Sequence, residues 1–143
     1  MNAVMRNEMI DCLNLQWGTY VARLQGFSKK ELSAYLQGQG YARLQDLLAH
    51  VAAWWQVGMG KVGDFQRDPD IEHPADDVDA FNALAVAEVR DLPEITVINT
   101  FETTRLQLLD LVQTLSDADL NAPKINHQLA METIGHWQDH QIS

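Results

Sequence analysis

Residues 41–65 read "YARLQDLLAHVAAWWQVGMGKVGDF", and the spacing of their apolar members decides the fold class. Leu44, Leu47, Leu48, Val51, Ala52, Trp54 and Trp55 recur at three- and four-residue intervals, the period of an α-helix rather than the alternation of a strand. The apolar arc is broad, so this helix is expected to be mostly buried. Gly58, Gly60 and Gly63 spell G-x-G-x-x-G. The dinucleotide fingerprint works only after a strand and before a helix, where glycines admit a pyrophosphate to the helix N-terminus. Here the glycines follow a helix, so they are read as points of close helix packing or as a frayed helix end. Gly60-Lys61 fails as a phosphate loop for a simpler reason: Trp55 stands where its first glycine must be.

The same period extends outward in both directions. Met5, Met9, Cys12, Leu13, Trp17, Tyr20 and Leu24 mark a first helix over residues 4–25, ending at Gly26. "FSKKEL" places Glu31 three residues after Ser28, a capping box for a short turn of helix. Gly38 and Gly40 then break the chain before the second long helix. Residues 68–79, "DPDIEHPADDVD", carry six acids and two prolines and read as a solvated connection. This run is no calcium loop, because His73 occupies the position of the sharp-turn glycine. A shorter helix is expected over about 78–90. Pro93 suits the first turn of a third long helix, with Leu106, Leu109, Val112 and Leu115 in its core stripe. "SDADLNAPKIN" is expected to be a polar loop, and a fourth helix to run from about His127 to the end. No run alternates as a strand would. The expectation is one all-α domain over 1–143: a four-helix bundle with an additional short helix between helices 2 and 3.

Composition narrows the function classes. The 143 residues are 46% hydrophobic and 21% charged, an ordinary globular mixture. The formal charge of −10 argues against nucleic acid or an anionic membrane as partner, since both carry the same sign. The N-terminal residues do not pattern as a signal peptide, and no stretch approaches the length of a membrane span. The single cysteine, Cys12, fits a reducing compartment, so a cytoplasmic location is expected. Its place on an apolar stripe makes it a small buried hydrophobe rather than a reactive thiol.

The histidines are the chemically pointed feature. His136 and His140 lie four apart in "IGHWQDHQIS", residues 134–143. On a helix that separates them by roughly 40° around the axis and about 6 Å along it, so both imidazoles can reach one ion. A third ligand must then come across the core. His50 is the candidate, because it sits inside "LLAHVAAWW", where an unpaired imidazole is costly to bury. A hydrogen-bonded core histidine is the alternative. His73 and His127 read as surface residues.

"YARLQDLLAHVAAWW" resembles the second-helix motif of the DinB-like four-helix bundles: a leucine-rich turn before a histidine, with an aromatic four residues on. "IGHWQDHQ" is similar to that family's C-terminal H-x-x-x-H. Residues 77–120 resemble the ClbS/DfsB branch specifically, through the Phe81-Asn82 pair of an extra helix, the later Arg105, and the turn L-S-D-x-D-L at 115–120. The likeness runs over nearly the whole chain. It implies a DinB-type bundle holding one divalent ion on three histidines, matched here by His50, His136 and His140.

Three neutral imidazoles suit zinc, nickel or ferrous iron and leave coordination positions open, as in catalytic sites. Glu132, one turn before His136, is a candidate fourth ligand or general base. Asp46 and Asp139 are candidate partners of the ligands, and Trp54 and Trp137 candidate pocket walls. Ile134, Trp137 and Ile142 are the expected anchors of the last turn. The resulting reading is a metal-dependent hydrolase or thiol transferase acting on a small electrophilic or toxic compound. The alternative is a non-catalytic protein of the ClbS type that sequesters a small molecule, with or without metal. A homodimer is compatible with either.

Overall fold

The computed structural model describes residues 4–142, and every described element is helical. Helix α1 comprises Arg6–Asp11, a π-helical turn at Cys12–Gln16, and Trp17–Gln25. Met9, Leu13, Trp17, Tyr20 and Leu24 line its wholly buried face. Met5, placed on that stripe by spacing, is the N-cap residue and stays exposed.

Helix α2, Lys29–Gln39, begins at the expected capping box: Ser28 Oγ accepts from the Glu31 amide, and Glu31 Oε1 accepts from the Ser28 amide. It runs for 11 residues rather than a single turn. Its length is supported by Leu32, Leu36 and Tyr35, which pack on the core. Gly38 therefore lies inside the helix, and the break falls at Gly40, whose φ of 86° is the left-handed conformation that glycine adopts without a steric penalty.

Helix α3, Leu44–Arg67, continues straight through all three glycines of the fingerprint look-alike, so none of them frays its end. Helix α4, Val78–Glu88, starts at Asp77, whose side chain accepts from the Ala80 amide. Helix α5, Glu94–Thr114, has Pro93 as its N-cap. Its buried stripe is Val97, Phe101, Thr104, Leu108 and Val112. Leu106 is 52% exposed, which corrects the expected core position. Thr104 hid the true register: its hydroxyl bonds back to the Thr100 carbonyl, so a polar letter sits on the apolar face.

"SDADLNAPKIN" is not a loop. Ser116 caps a short helix α6, Asp117–Asn121, and Pro123 opens α7. Proline is well suited there, because a first-turn residue needs no amide donor. Helix α7 comprises Pro123–Ala130, a second π-helical turn at Met131–Gly135, and His136–His140.

Helix α3 packs along α5 and α7, α1 packs on α5, and the π turns of α1 and α7 face each other. A π turn inserts a residue and leaves main-chain carbonyls without their usual helical partner. Here side chains from other helices supply the missing donors. Arg105, held by Glu102, donates to the Leu13 carbonyl. The Trp17 and Trp55 indoles donate to the Thr133 and Glu132 carbonyls at 3.0 and 2.9 Å. Among the described residues, no helix is long and apolar enough to cross a membrane.

Candidate metal centre

His50 projects from the middle of α3, and His136 and His140 from the last segment of α7. One nitrogen from each lies within 4.8 Å of the others. All three residues are buried, at 8%, 8% and 7% exposure. They form the floor of a cleft of about 530 Å³ whose walls include Trp54, Val57, Val78 and Met131.

The hydrogen bonds around His50 define its tautomer. Asn82 Oδ1 accepts from the Trp54 indole at 2.7 Å. An indole nitrogen only donates, so the amide oxygen of Asn82, not its nitrogen, must face this point. The same oxygen is 2.8 Å from His50 Nδ1. His50 Nδ1 therefore carries a proton, and Nε2 has a bare lone pair. His140 is arranged alike, with Nδ1 at 2.7 Å from Gln39 Oε1. The two Nε2 atoms then face each other at 3.1 Å. A cation between two lone pairs holds them at that distance, and so does one proton in an N–H···N bond, which His140 supplies if the Gln39 amide presents its NH2 to Nδ1 instead. Nitrogens bound to one tetrahedral ion at about 2.05 Å stand roughly 3.3 Å apart, so the observed spacing fits a metal.

Burial keeps the triad neutral. His140 is pushed down to about 4, by burial first and by His50 second. His136 is held well below the ordinary value by burial, then by His140 and His50. His50 is also lowered by burial, against the opposing effects of Asn82 and Asp139. Glu132 is buried beside them and is raised to about 7, chiefly by burial, despite the bond from Gln128.

These shifts have opposite consequences for stability. A histidine lowered on folding lets the unfolded chain take up protons first, so acidification from about pH 6.5 towards 4 favours unfolding. A carboxyl raised to about 7 gains its proton first in the folded state, so it adds stability as pH falls from about 7 to 4.5. Three histidines outweigh one carboxyl. Metal-free protein should be most stable between about pH 6.5 and 7 and weaken steadily down to pH 4. Guanidinium melts at pH 7, 5.5 and 4.5 measure this; stability that held constant or rose on acidification would contradict the burial of neutral imidazoles.

The other candidate residues separate. Trp54 lines the cleft and packs on Phe81, with ring centroids 4.2 Å apart. Glu132 and Asp139 also line it, Asp139 at the exposed rim. Trp137 does not; it packs edge-on against Trp17 and Tyr20. Asp46 is paired with Arg43 at 2.7 Å and makes no bond to His50, whose Nδ1 is taken by Asn82. His127 is exposed, and His73 bonds Asp64 across the connection between α3 and α4. Cys12 is buried, donates to the Thr133 carbonyl and is raised to about 11 by burial.

The end of α7 is held by more than the three anchors expected. Tyr35 donates to the His140 carbonyl, Tyr20 bonds Tyr35, and Gln39 holds the His140 ring. Asn82 and Gln39, which bond two of the three imidazoles, are residues that periodicity did not single out. Asn82 stood in the Phe81-Asn82 pair but without a role; Gln39, between two glycines, had no signal at all.

No protein-family model matches this chain, and no curated protein or solved structure matches it.

Proposed function

We propose that His50, His136 and His140 hold one divalent transition metal in a DinB-type helical bundle, and that the protein acts on a small electrophilic compound. The single observation that carries the metal is the convergence of three buried histidine nitrogens within 4.8 Å of one another, with the His50 Nε2 lone pair turned to the others by Trp54 through Asn82. An ion bound by three imidazoles retains open positions and acidifies a water or thiol that binds there. Zinc, nickel and ferrous iron all suit the donor set.

The cleft bears on the reaction class. None of the residues lining it is a Ser, Thr or Cys, and Cys12 is enclosed in the core. Of the lining groups that could attack, Lys61 pairs with Asp76 and Glu132 is bonded by Gln128; in this reading the nucleophile comes from outside the chain, as water for hydrolysis or as a small thiol for transfer. The apolar walls, Trp54, Val57, Val78 and Met131, receive the body of the substrate, while Lys61 is engaged with Asp76 at 2.9 Å. The lack of a hydroxyl or thiol among the lining residues favours a second reading, sequestration of the compound without turnover.

Metal analysis of the purified chain and titration of chelated protein with zinc, nickel and iron test the first claim; one equivalent per chain is expected. A panel of epoxides, strained rings and activated esters, with and without a thiol, tests the second. Equal turnover by metal-free and metal-loaded protein would defeat the mechanism, and stoichiometric protection without turnover would establish the sequestering reading instead.

Asn82→Leu gives a sharper check on the positioning of His50. Losing the oxygen that orients a ligating imidazole typically weakens metal binding about 10–100-fold. Asn82→Leu should fall in that range by calorimetry with zinc. Unchanged affinity would mean that the Asn82 bond does not hold the ligand.

A further inference from the structure

His50 and His140 each have Nδ1 bonded to an oxygen outside the triad. His136 does not. Its Nδ1 is, among the described residues, the one buried side-chain nitrogen or oxygen without a hydrogen-bond partner. An unpaired buried polar atom is costly, so it marks a bond formed in another state or a ligand to be bound.

Glu132 Oε1 lies 4.0 Å away, one turn earlier on α7, just beyond hydrogen-bond reach. The rest of Glu132 is constrained. It is 6% exposed, and its other oxygen, Oε2, accepts from Gln128 Nε2 at 2.7 Å. The main-chain carbonyl of Glu132 accepts from the Trp55 indole. On α3, Gly58 leaves the space that the carboxylate occupies, since a Cβ there would stand 2.2 Å from Oε2. One carboxylate oxygen is thus anchored, and the other is left for His136.

We propose that Glu132 is a positioning residue for His136: its Oε1 accepts the Nδ1 proton, fixing that imidazole as the Nδ1–H tautomer and leaving Nε2 for the metal. Closing the gap needs a side-chain adjustment of about 1 Å. The triad then follows one rule, with each imidazole held from behind by an oxygen acceptor: Asn82, Gln39 and Glu132. Glu132 differs in being ionisable, and a carboxylate behind a ligating imidazole makes it the stronger donor. Gly58 acquires a role as well, as the gap in α3 that admits the carboxylate. The relevance of this to affinity rests on the metal reading above; the tautomer does not.

The test uses the full chain at pH 8, where the carboxylate is ionised. Long-range proton–nitrogen spectra of the imidazoles report the His136 tautomer in metal-free protein, and zinc titration reports affinity. Wild type should show the Nδ1–H form of His136. Glu132→Met, a linear apolar replacement that fits beside Gly58, should lose that preference and bind zinc 10–100-fold more weakly. Glu132→Gln, whose oxygen faces His136 once the Gln128 amide turns so that its own oxygen accepts from the new NH2, should restore the tautomer and most of the affinity. A purely structural role for Glu132 would leave the tautomer unchanged in Glu132→Met, and that result overturns the proposal. A cobalt(II) spectrum that changes coordination in Glu132→Gln would also overturn it, by making Glu132 a ligand. If wild type binds no metal while the tautomer shifts as described, the metal reading fails and the positioning role of Glu132 stands. Should Glu132→Met not fold, Glu132→Ala takes its place, and an Nε2–H form of His136 in wild type overturns the proposal without any variant.

Discussion

Replacing His140 with alanine is expected to weaken zinc binding by at least about a hundredfold. Zinc bound to a full ligand set contributes roughly 10–16 kcal/mol, so removing one of three protein ligands costs on the order of 3–5 kcal/mol, or about 10²–10⁴ in affinity. His140 contributes one of the two nitrogens that face each other at 3.1 Å, so no other described side chain substitutes for it. The fold itself should survive. Tyr35 bonds the main-chain carbonyl at 140, which alanine retains, and the segment before it is held by Trp17 and Trp55. Metal-free His140→Ala should therefore melt close to wild type, while the stabilisation by added zinc, about 2.7 kcal/mol at a hundred times the dissociation constant, disappears. His73→Ala, at a histidine paired with Asp64 outside the cleft, is the control that should bind zinc normally. Tight binding retained in His140→Ala would exclude the triad as the metal site.

The largest stability effect is expected at Trp17. Its ring is fully buried and meets Tyr20, Trp55 and Trp137 edge-on at centroid distances of 5.1, 5.0 and 5.2 Å. Its indole satisfies the Thr133 carbonyl that the second π turn leaves open. Truncating a buried tryptophan costs about 3–5 kcal/mol in lost packing and cavity. An under-satisfied carbonyl adds about 1–3 kcal/mol, reduced here because the Cys12 thiol also donates to it at 3.3 Å. Trp17→Ala should thus lose about 5 kcal/mol, a large part of the 5–15 kcal/mol margin of an ordinary domain. Trp17→Phe, which keeps most of the ring but no N–H, separates the two contributions and should lose only about 1–3 kcal/mol. Urea denaturation measures both. A loss below about 2 kcal/mol in Trp17→Ala would mean that the π turn is not held from α1.

Much of the architecture is written in local spacing. The apolar positions of α1 and α3, the Ser28–Glu31 box and the placement of Pro93 each depend on residues within a turn or two of one another, and such patterns are visible along one chain. So is the pairing of His136 with His140, because helix geometry alone brings residues four apart together. The buried position of His50 followed from its apolar neighbours. Errors arose where the local signal was mixed. Thr104 interrupted the stripe of α5 and moved the expected register onto Leu106, and the polar letters of 116–126 concealed two helix starts that their own caps, Ser116 and Pro123, had marked.

What the tertiary structure alone decided are contacts between helices. Gln39 reaching His140, Asn82 shared by Trp54 and His50, and Gly58 opening space for Glu132 each join residues 28 or more positions apart. Such contacts depend on how helices register and which rotamers survive packing, and one sequence carries no periodic trace of either. The π turns belong to the same class. A single extra residue in a helix is locally unfavourable, and it persists at 12–16 and 131–135 because Arg105, Trp17 and Trp55 reach across the core to the carbonyls it frees. Local spacing thus marked the long helices and put the three histidines on them, while the tautomer of His50 and the partners of all three were set only when the helices packed.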